Sequence, residues 1–351
     1  MLARRFTSCV VVSVLGLGAA MLAGCLERVE SITIAPDGSA TLRSEFRGTP
    51  EDFKKTDDAL PEAGGAWAVT QREERDAEGK PRVVRVAELS VARGDGLPGT
   101  YGAPGDPRAA SGLAFPTTLR VNTTGGHTYF DFSRTYAHRE EAKYAYAKKR
   151  LMGGDAFKAM EGKDPAEMTG AQREVLVRTL ARLEADKHVR FIEAGAAALE
   201  AERAWPQEVA LSLRTAALEF ADRFDIAEAS TLLGRPRTPE RDAALEGVKR
   251  AFMEGLHAAI KASLDRFALP EDQVKRFIDG ALAERSRRRA TEDLADERWV
   301  VRVTMPGTIL AHDADRVEGN TLVWEFTAEA IMDRDQRVRA TSVVGPPKSV
   351  R

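Results

Sequence analysis

The sequence predicts an α+β protein in which a discontinuous, antiparallel β-rich domain is interrupted by a long helical insertion. Three observations carry that prediction. Apolar residues recur with a period of two near both ends of the chain, as at Ile32 and Ile34 and again at Trp299, Val301, Val303 and Met305. Between about 139 and 296 this alternation stops, and apolar residues recur every three or four positions among alanines and charged residues. Pro206, Pro236, Pro239 and Pro270 punctuate that middle stretch at positions suited to helix boundaries. The predicted organisation is a signal segment at 1–24, a first β-rich part at 25–138, the insertion at 139–296, a second β-rich part at 297–345 and a tail at 346–351. The alternative is two unrelated β domains at the two ends. A chain with no cysteine after Cys25 must hold its sheet by packing, which favours one shared core.

Composition narrows the function classes. The 351 residues carry 52 Lys and Arg against 54 Asp and Glu, so there is no basic footprint for a nucleic-acid partner. A 43% hydrophobic share excludes a mainly disordered chain, a 30% charged share excludes a polytopic membrane protein, and two cysteines exclude a disulfide scaffold.

The elements follow in order. Met1 to Arg5 carry positive charge ahead of an apolar run from Phe6 to Ala23, the layout of an export signal. The run closes on Leu22-Ala23-Gly24-Cys25, which resembles the lipobox of bacterial lipoproteins. That resemblance implies peptidase recognition through Leu22, Ala23 and Gly24, and alkylation of the Cys25 thiol with diacylglycerol. The protein is then expected to be exported and lipid-anchored; Leu26 after the anchor favours the outer membrane where the source has two. An uncleaved anchor is the alternative, and a run of about 18 residues interrupted by Gly16 and Gly18 is short for a span.

Beyond Cys25, a strand through Ile32 and Ile34 meets Ala35-Pro36-Asp37-Gly38-Ser39, with Leu42 and Phe46 following. Proline fixes φ, Asp bonds nearby backbone and Gly tolerates positive φ, which together make a turn. Thr49-Pro50-Glu51-Asp52 has the cap, proline and early acids of a helix start. Strands are predicted over Trp67–Arg72, Arg82–Val91, Thr117–Val121 and Thr128–Thr135, the last pair joined through Thr123-Thr124-Gly125-Gly126. Residues 92–112 are rich in Gly and Pro and are predicted to form a long surface loop. In the insertion, Leu176, Leu180 and Leu183 share a helical face, as do Val209, Leu213, Phe220 and Phe224, and a third face runs from Leu245 to Phe267. Strand alternation then returns at Trp299, with later strands through Leu322, Trp324 and Phe326 and through Val338, Ala340 and Ser342.

Two stretches together look like the LppM-like group of bacterial lipoproteins. One is Gly24-Cys25-Leu26-Glu27-Arg28-Val29 leading to Ile32-Thr33-Ile34 and Asp37-Gly38-Ser39. The other is Met305-Pro306-Gly307-Thr308-Ile309 followed by Val317-Glu318-Gly319-Asn320-Thr321-Leu322-Val323-Trp324. The resemblance covers the flanking β segments and has no counterpart for the insertion. It implies a small α/β domain behind the lipidated cysteine and a cell-envelope role in binding lipid or glycolipid.

The chain holds no Gly-x-Ser-x-Gly, Ser-x-x-Lys or His-Glu-x-x-His motif. Its five histidines are dispersed, and His257, on a mostly apolar helix, reads as a hydrogen-bonded boundary residue. Asp313, Asp315 and Glu318 alternate beside His312 and offer oxygen ligands of the kind calcium takes, although a polar hairpin connection calls for the same residues. Arg285, Arg287, Arg288 and Arg289 form the densest basic run. They read as a salt-bridged helix end beside Glu284, Glu292 and Asp293, or as a contact for anionic lipid headgroups. Tyr136, Tyr144 and Tyr146 with Lys143, Lys148, Lys149 and Arg150 form a second aromatic and basic stretch. The expected protein is a non-enzymatic envelope lipoprotein without a cofactor. Its expected partners are the membrane, through acyl chains on Cys25, and an envelope lipid or protein. The alternatives are an assembly factor docking through the insertion and a hydrolase built from dispersed carboxylates.

Overall fold

The computed structural model describes residues 26–55, 59–63, 65–102, 112–160, 162–199, 206–294 and 297–345. The predicted signal segment, Cys25 and the tail lie outside them.

Strand β1 (Glu27–Ile34) turns into β2 (Ala40–Gly48) through Gly38, whose φ is +89°, while the Asp37 carboxylate accepts from the Ser39 amide and hydroxyl. Helix α1 (Pro50–Lys55) leads to β3 (Ala68–Arg75) and β4 (Pro81–Val91). Strands β5 (Thr117–Thr124) and β6 (His127–Tyr136) are joined by Gly125 and Gly126, at φ of +59° and +77°. A two-residue hairpin with positive φ at both positions matches the twist of its strands, which is why two glycines sit there. After the insertion come β7 (Arg298–Thr304), β8 (Thr308–His312), β9 (Arg316–Glu318), β10 (Thr321–Thr327) and β11 (Gln336–Val344).

These strands form a seven-stranded sheet, ordered β3-β4-β2-β1-β7-β10-β9, and a four-stranded sheet, ordered β5-β6-β11-β8. Strand β1 is central in the larger sheet, antiparallel to β2 and parallel to β7, with Ile32 opposite Leu42 on one side and Val303 on the other. The other described pairings are antiparallel. The parallel pair arises because β1 and β7 are joined by most of the chain rather than by a hairpin. One core unites Ile32, Phe46, Trp299, Val301 and Trp324 of the larger sheet with Phe130, Phe132, Tyr136 and Val338 of the smaller. The two β segments are therefore one discontinuous domain. The 92–112 segment is not simply a surface loop: Tyr101, at its described end, is buried in that core, as are Leu113 and Phe115 just beyond it.

The chain divides into two compact units, Ala142–Arg285 and the remainder up to Glu141 and from Ser286. The helical unit contains α2 (Ala142–Met152), α3 (Asp155–Lys158), α4 (Gly170–Ala197), α5 (Pro206–Arg223), α6 (Ala227–Leu233), α7 (Pro239–Asp265) and most of α8 (Glu271–Leu294). Thr169 caps α4 in a reciprocal box with Gln172, and Thr238 caps α7 ahead of Pro239. Its apolar faces close over Ala185, Ile192, Leu213, Ala217, Phe252 and Leu256, with a second cluster around Met160, Leu176, Leu233 and Leu245.

The unit is narrower than the expected 139–296 because both stems are held in the sheet domain. Arg139 donates to the Gly112 carbonyl at 2.7 Å and to the Thr291 hydroxyl at 3.0 Å. Arg287 pairs with Glu140 and Arg288 with Glu141.

Gly307 and Gly319 separate two costs of substitution. Gly307 has φ +73° and an added Cβ would lie 2.1 Å from the Val343 carbonyl oxygen, whereas Gly319 has φ +64° and open space. Gly319→Ala is expected to lose about 1 kcal/mol from left-handed strain alone. Gly307→Ala should lose about 1–3 kcal/mol more, because β11 must move. Urea denaturation of the two variants checks this, and equal losses would contradict the close approach.

Candidate functional site

The carboxylates read as a cation site do not converge. Asp313 Oδ1 accepts from Trp324 Nε1 at 2.9 Å and from the Arg339 amide at 2.8 Å. Asp315 accepts from the Glu325 amide at 2.8 Å, and Glu318 pairs with Arg316 at 2.8 Å. Each serves its own donor, on β11, β10 and β9 in turn, and among the described residues no three His, Cys, Asp or Glu gather as a metal site. The structure does not bring Asp313, Asp315 and Glu318 together; Asp313 instead gives the N–H of the buried Trp324 its acceptor. Asp131 likewise accepts from the Thr341 hydroxyl at 2.9 Å.

The arginine run splits by helical phase. Arg287 and Arg288 are half-buried; Arg287 pairs with Glu140 and Arg288 with Glu141 and Glu292, the last at 3.0 Å. Arg285 and Arg289 are exposed. The aromatic stretch splits too. Tyr144 donates to Glu284, Tyr146 is exposed, and Tyr136 is fully buried.

Tyr136 belongs to the main polar feature of the sheet domain, which the sequence pattern did not single out. On β1 the inward face reads Arg28, Glu30, Ile32, Ile34, all buried. Glu30 Oε1 accepts from the Tyr101 hydroxyl, and Oε2 accepts from the Tyr136 hydroxyl and from Arg134 Nη2, the latter at 2.9 Å. Arg134 further donates to the Tyr136 hydroxyl at 3.1 Å and to the Thr117 hydroxyl at 3.0 Å. Its guanidinium carbon lies 3.9 Å from the centre of the Phe115 ring, a cation–π contact deep in the core. Tyr101 in turn packs on Phe115, with centroids 4.6 Å apart, and edge-on against Phe46 at 5.2 Å. One step along β1, Arg28 makes a two-pronged pair with Glu297, at 2.6 and 3.1 Å, between the rings of Phe46 and Trp299.

The electrostatics suit a closed knot. Burial, and then the Glu30 carboxylate, push both the Tyr101 and Tyr136 hydroxyls well above their ordinary range. Burial works most strongly against the Arg134 charge, but Glu30 together with Tyr136 and Tyr101 outweighs it and raises its pKa. Protonated tyrosines donate and a permanent cation pairs, so every oxygen of Glu30 is engaged. Such a cluster fixes how the two sheets meet; it presents no nucleophile to a substrate. Arg28 and Glu30 carried a signal in the sequence, since they stand in phase with Ile32 and Ile34. Their partners, Glu297 and Arg134, are far away along the chain and carried none.

The two parts of the second stretch that carries the lipoprotein resemblance, Met305–Ile309 and Val317–Trp324, touch each other. Asn320 Nδ2 donates to the Met305 and Gly307 carbonyls at 3.2 and 2.7 Å, and the Met305 amide donates back to the Asn320 carbonyl at 3.0 Å. Their roles here are turn formation and, through Trp324, core packing.

No family model and no curated protein matches the chain. Among solved structures, it is similar to the folded domain of LppM from Mycobacterium tuberculosis, determined by NMR, over 93% of this chain and 95% of that one. The identity is 10% and the TM-score 0.30, a weak likeness of fold.

Arg134→Met leaves Glu30 buried without its cation and is expected to cost about 3–5 kcal/mol in urea denaturation. Glu30→Gln combined with Arg134→Met should recover part of that loss, because a neutral amide still accepts from one tyrosine and can donate to the other. A single-variant loss below about 1 kcal/mol would show that the pair is not buried as described.

Proposed function

We propose that the protein is an exported bacterial lipoprotein, tethered to a membrane through acyl chains on Cys25, which acts by binding an envelope lipid, glycolipid or protein rather than by catalysis. The observation that carries this reading is the join between anchor sequence and fold. The charged start, the apolar run and Leu22-Ala23-Gly24-Cys25 lead directly into Leu26, which is buried, and into β1 from Glu27. The resemblance to envelope lipoproteins supports the same reading. No described helix is long and apolar enough to cross a membrane. Binding is favoured over chemistry because the sequence offers no catalytic motif. Arg285 and Arg289 are exposed on α8, as contact with anionic headgroups would require.

A second reading, docking of another protein through the helical unit, is favoured by one observation. Leu211, Ile278 and Leu282 are 65%, 45% and 50% exposed there.

Cys25→Ala is expected to abolish acyl labelling and membrane retention together. Retention without acylation would overturn lipidation in favour of an uncleaved anchor. Mass spectrometry of lipids co-purifying with the acylated protein tests the binding claim, which fails if no envelope component is enriched over a detergent control.

A further inference from the structure

A histidine pair in the helical unit has no place in the function proposed above. His188, on α4, and His257, on α7, face each other with their Nε2 atoms 3.4 Å apart. His188 Nδ1 lies 3.0 Å from the Glu184 carbonyl oxygen. A carbonyl can only accept, so Nδ1 carries the hydrogen, and the neutral ring keeps its lone pair on Nε2, aimed at His257. Metal-binding histidines are held in this way, with the second ring nitrogen donating to a carbonyl or carboxylate. The Phe191 ring packs edge-on against His188, with centroids 5.3 Å apart, and helps to fix its plane.

The separation of the two nitrogens discriminates between their uses. Two metal–imidazole bonds of 2.0–2.1 Å at a tetrahedral angle place their nitrogens about 3.3 Å apart. A direct N–H···N bond prefers a shorter contact, about 3.0 Å. We infer that His188 and His257 form a binding site for a divalent, imidazole-seeking metal ion of the zinc and copper class. Among the described residues no third His, Cys, Asp or Glu joins them, so water completes the coordination. His188 is buried and His257 exposed, which gives the ion an approach from solvent. The charge of the nearby Arg285 opposes a dication, so the site is a weak one whose affinity that residue sets.

The test uses the full chain in detergent, without a histidine tag and stripped by chelator, titrated with Cu²⁺ and separately with Zn²⁺ at pH 7.5. One equivalent of Cu²⁺ is expected, with nitrogen hyperfine structure from two imidazoles in its electron paramagnetic resonance spectrum, and Zn²⁺ bound in the separate titration should be displaced by Cu²⁺. His257→Gln, at an exposed position that leaves folding intact by circular dichroism, should weaken uptake by about tenfold or more, as should His188→Gln. Arg285→Gln should tighten it. Copper uptake unchanged in His257→Gln, or no uptake by the native chain, would overturn the site and leave an imidazole–imidazole hydrogen bond only.

Discussion

The inward face of β1 places opposite charges two residues apart in the centre of a hydrophobic core, and the rest of the sheet domain is arranged around satisfying them. Arg28 finds Glu297, separated by 269 positions, and Glu30 finds Arg134 from the other sheet. Burying a charge without a partner costs several kcal/mol, so alternative registers of β1 that would separate either pair are strongly disfavoured. The apolar residues nearby would tolerate many packings. The charges tolerate few. A one-residue slip of β1 would also turn Ile32 and Ile34 outward, so hydrophobic pattern and ion pairing specify the same register.

That constraint explains how one sheet accommodates a long helical guest. Strand β7 must reach β1 in parallel after the whole insertion has been made, and Glu297, at the threshold of β7, meets Arg28 near the start of β1. The stems of the insertion are tied in the same domain, with Arg139 reaching Thr291 and with Arg287 and Arg288 against Glu140 and Glu141. Entry and exit are thus adjacent in the sheet domain, and loop-closure cost grows only slowly with the length of what lies between them. An insertion of this size needs its own core to be stable, and the apolar faces of α4, α5 and α7 provide one.

The fold was legible where local chemistry decides it. Alternation at Trp299 to Met305, the Pro36-Asp37-Gly38 turn and the Gly125-Gly126 hairpin act within a few residues, and a pattern can report them. The polar interior was much less legible. Tyr101 lies within a Gly- and Pro-rich stretch whose composition reads as surface, yet its ring fills the core and its hydroxyl serves Glu30. Asp313 and Asp315 looked like ligands because an acid's partner is invisible until the chain folds. The same holds for His188 and His257, which are unremarkable on their own helices and become a pair only when α4 and α7 meet.

Under the proposed lipidation, β1 also acquires a mechanical role. Cys25 is followed by one buried residue and then by the strand, so any pull from the bilayer enters the fold at β1 without a flexible spacer to absorb it. A strand at the edge of a sheet would peel away, breaking its hydrogen bonds one after another. Strand β1 is bonded along its length to β2 and β7, so a pull along its axis loads both ladders in shear and many bonds at once. The two ion pairs add side-chain anchors on the buried face, where displacement would draw charged groups out of their partners' reach. The inward charges that make this strand costly to bury therefore stand where a tethered domain has most need of resistance to extraction.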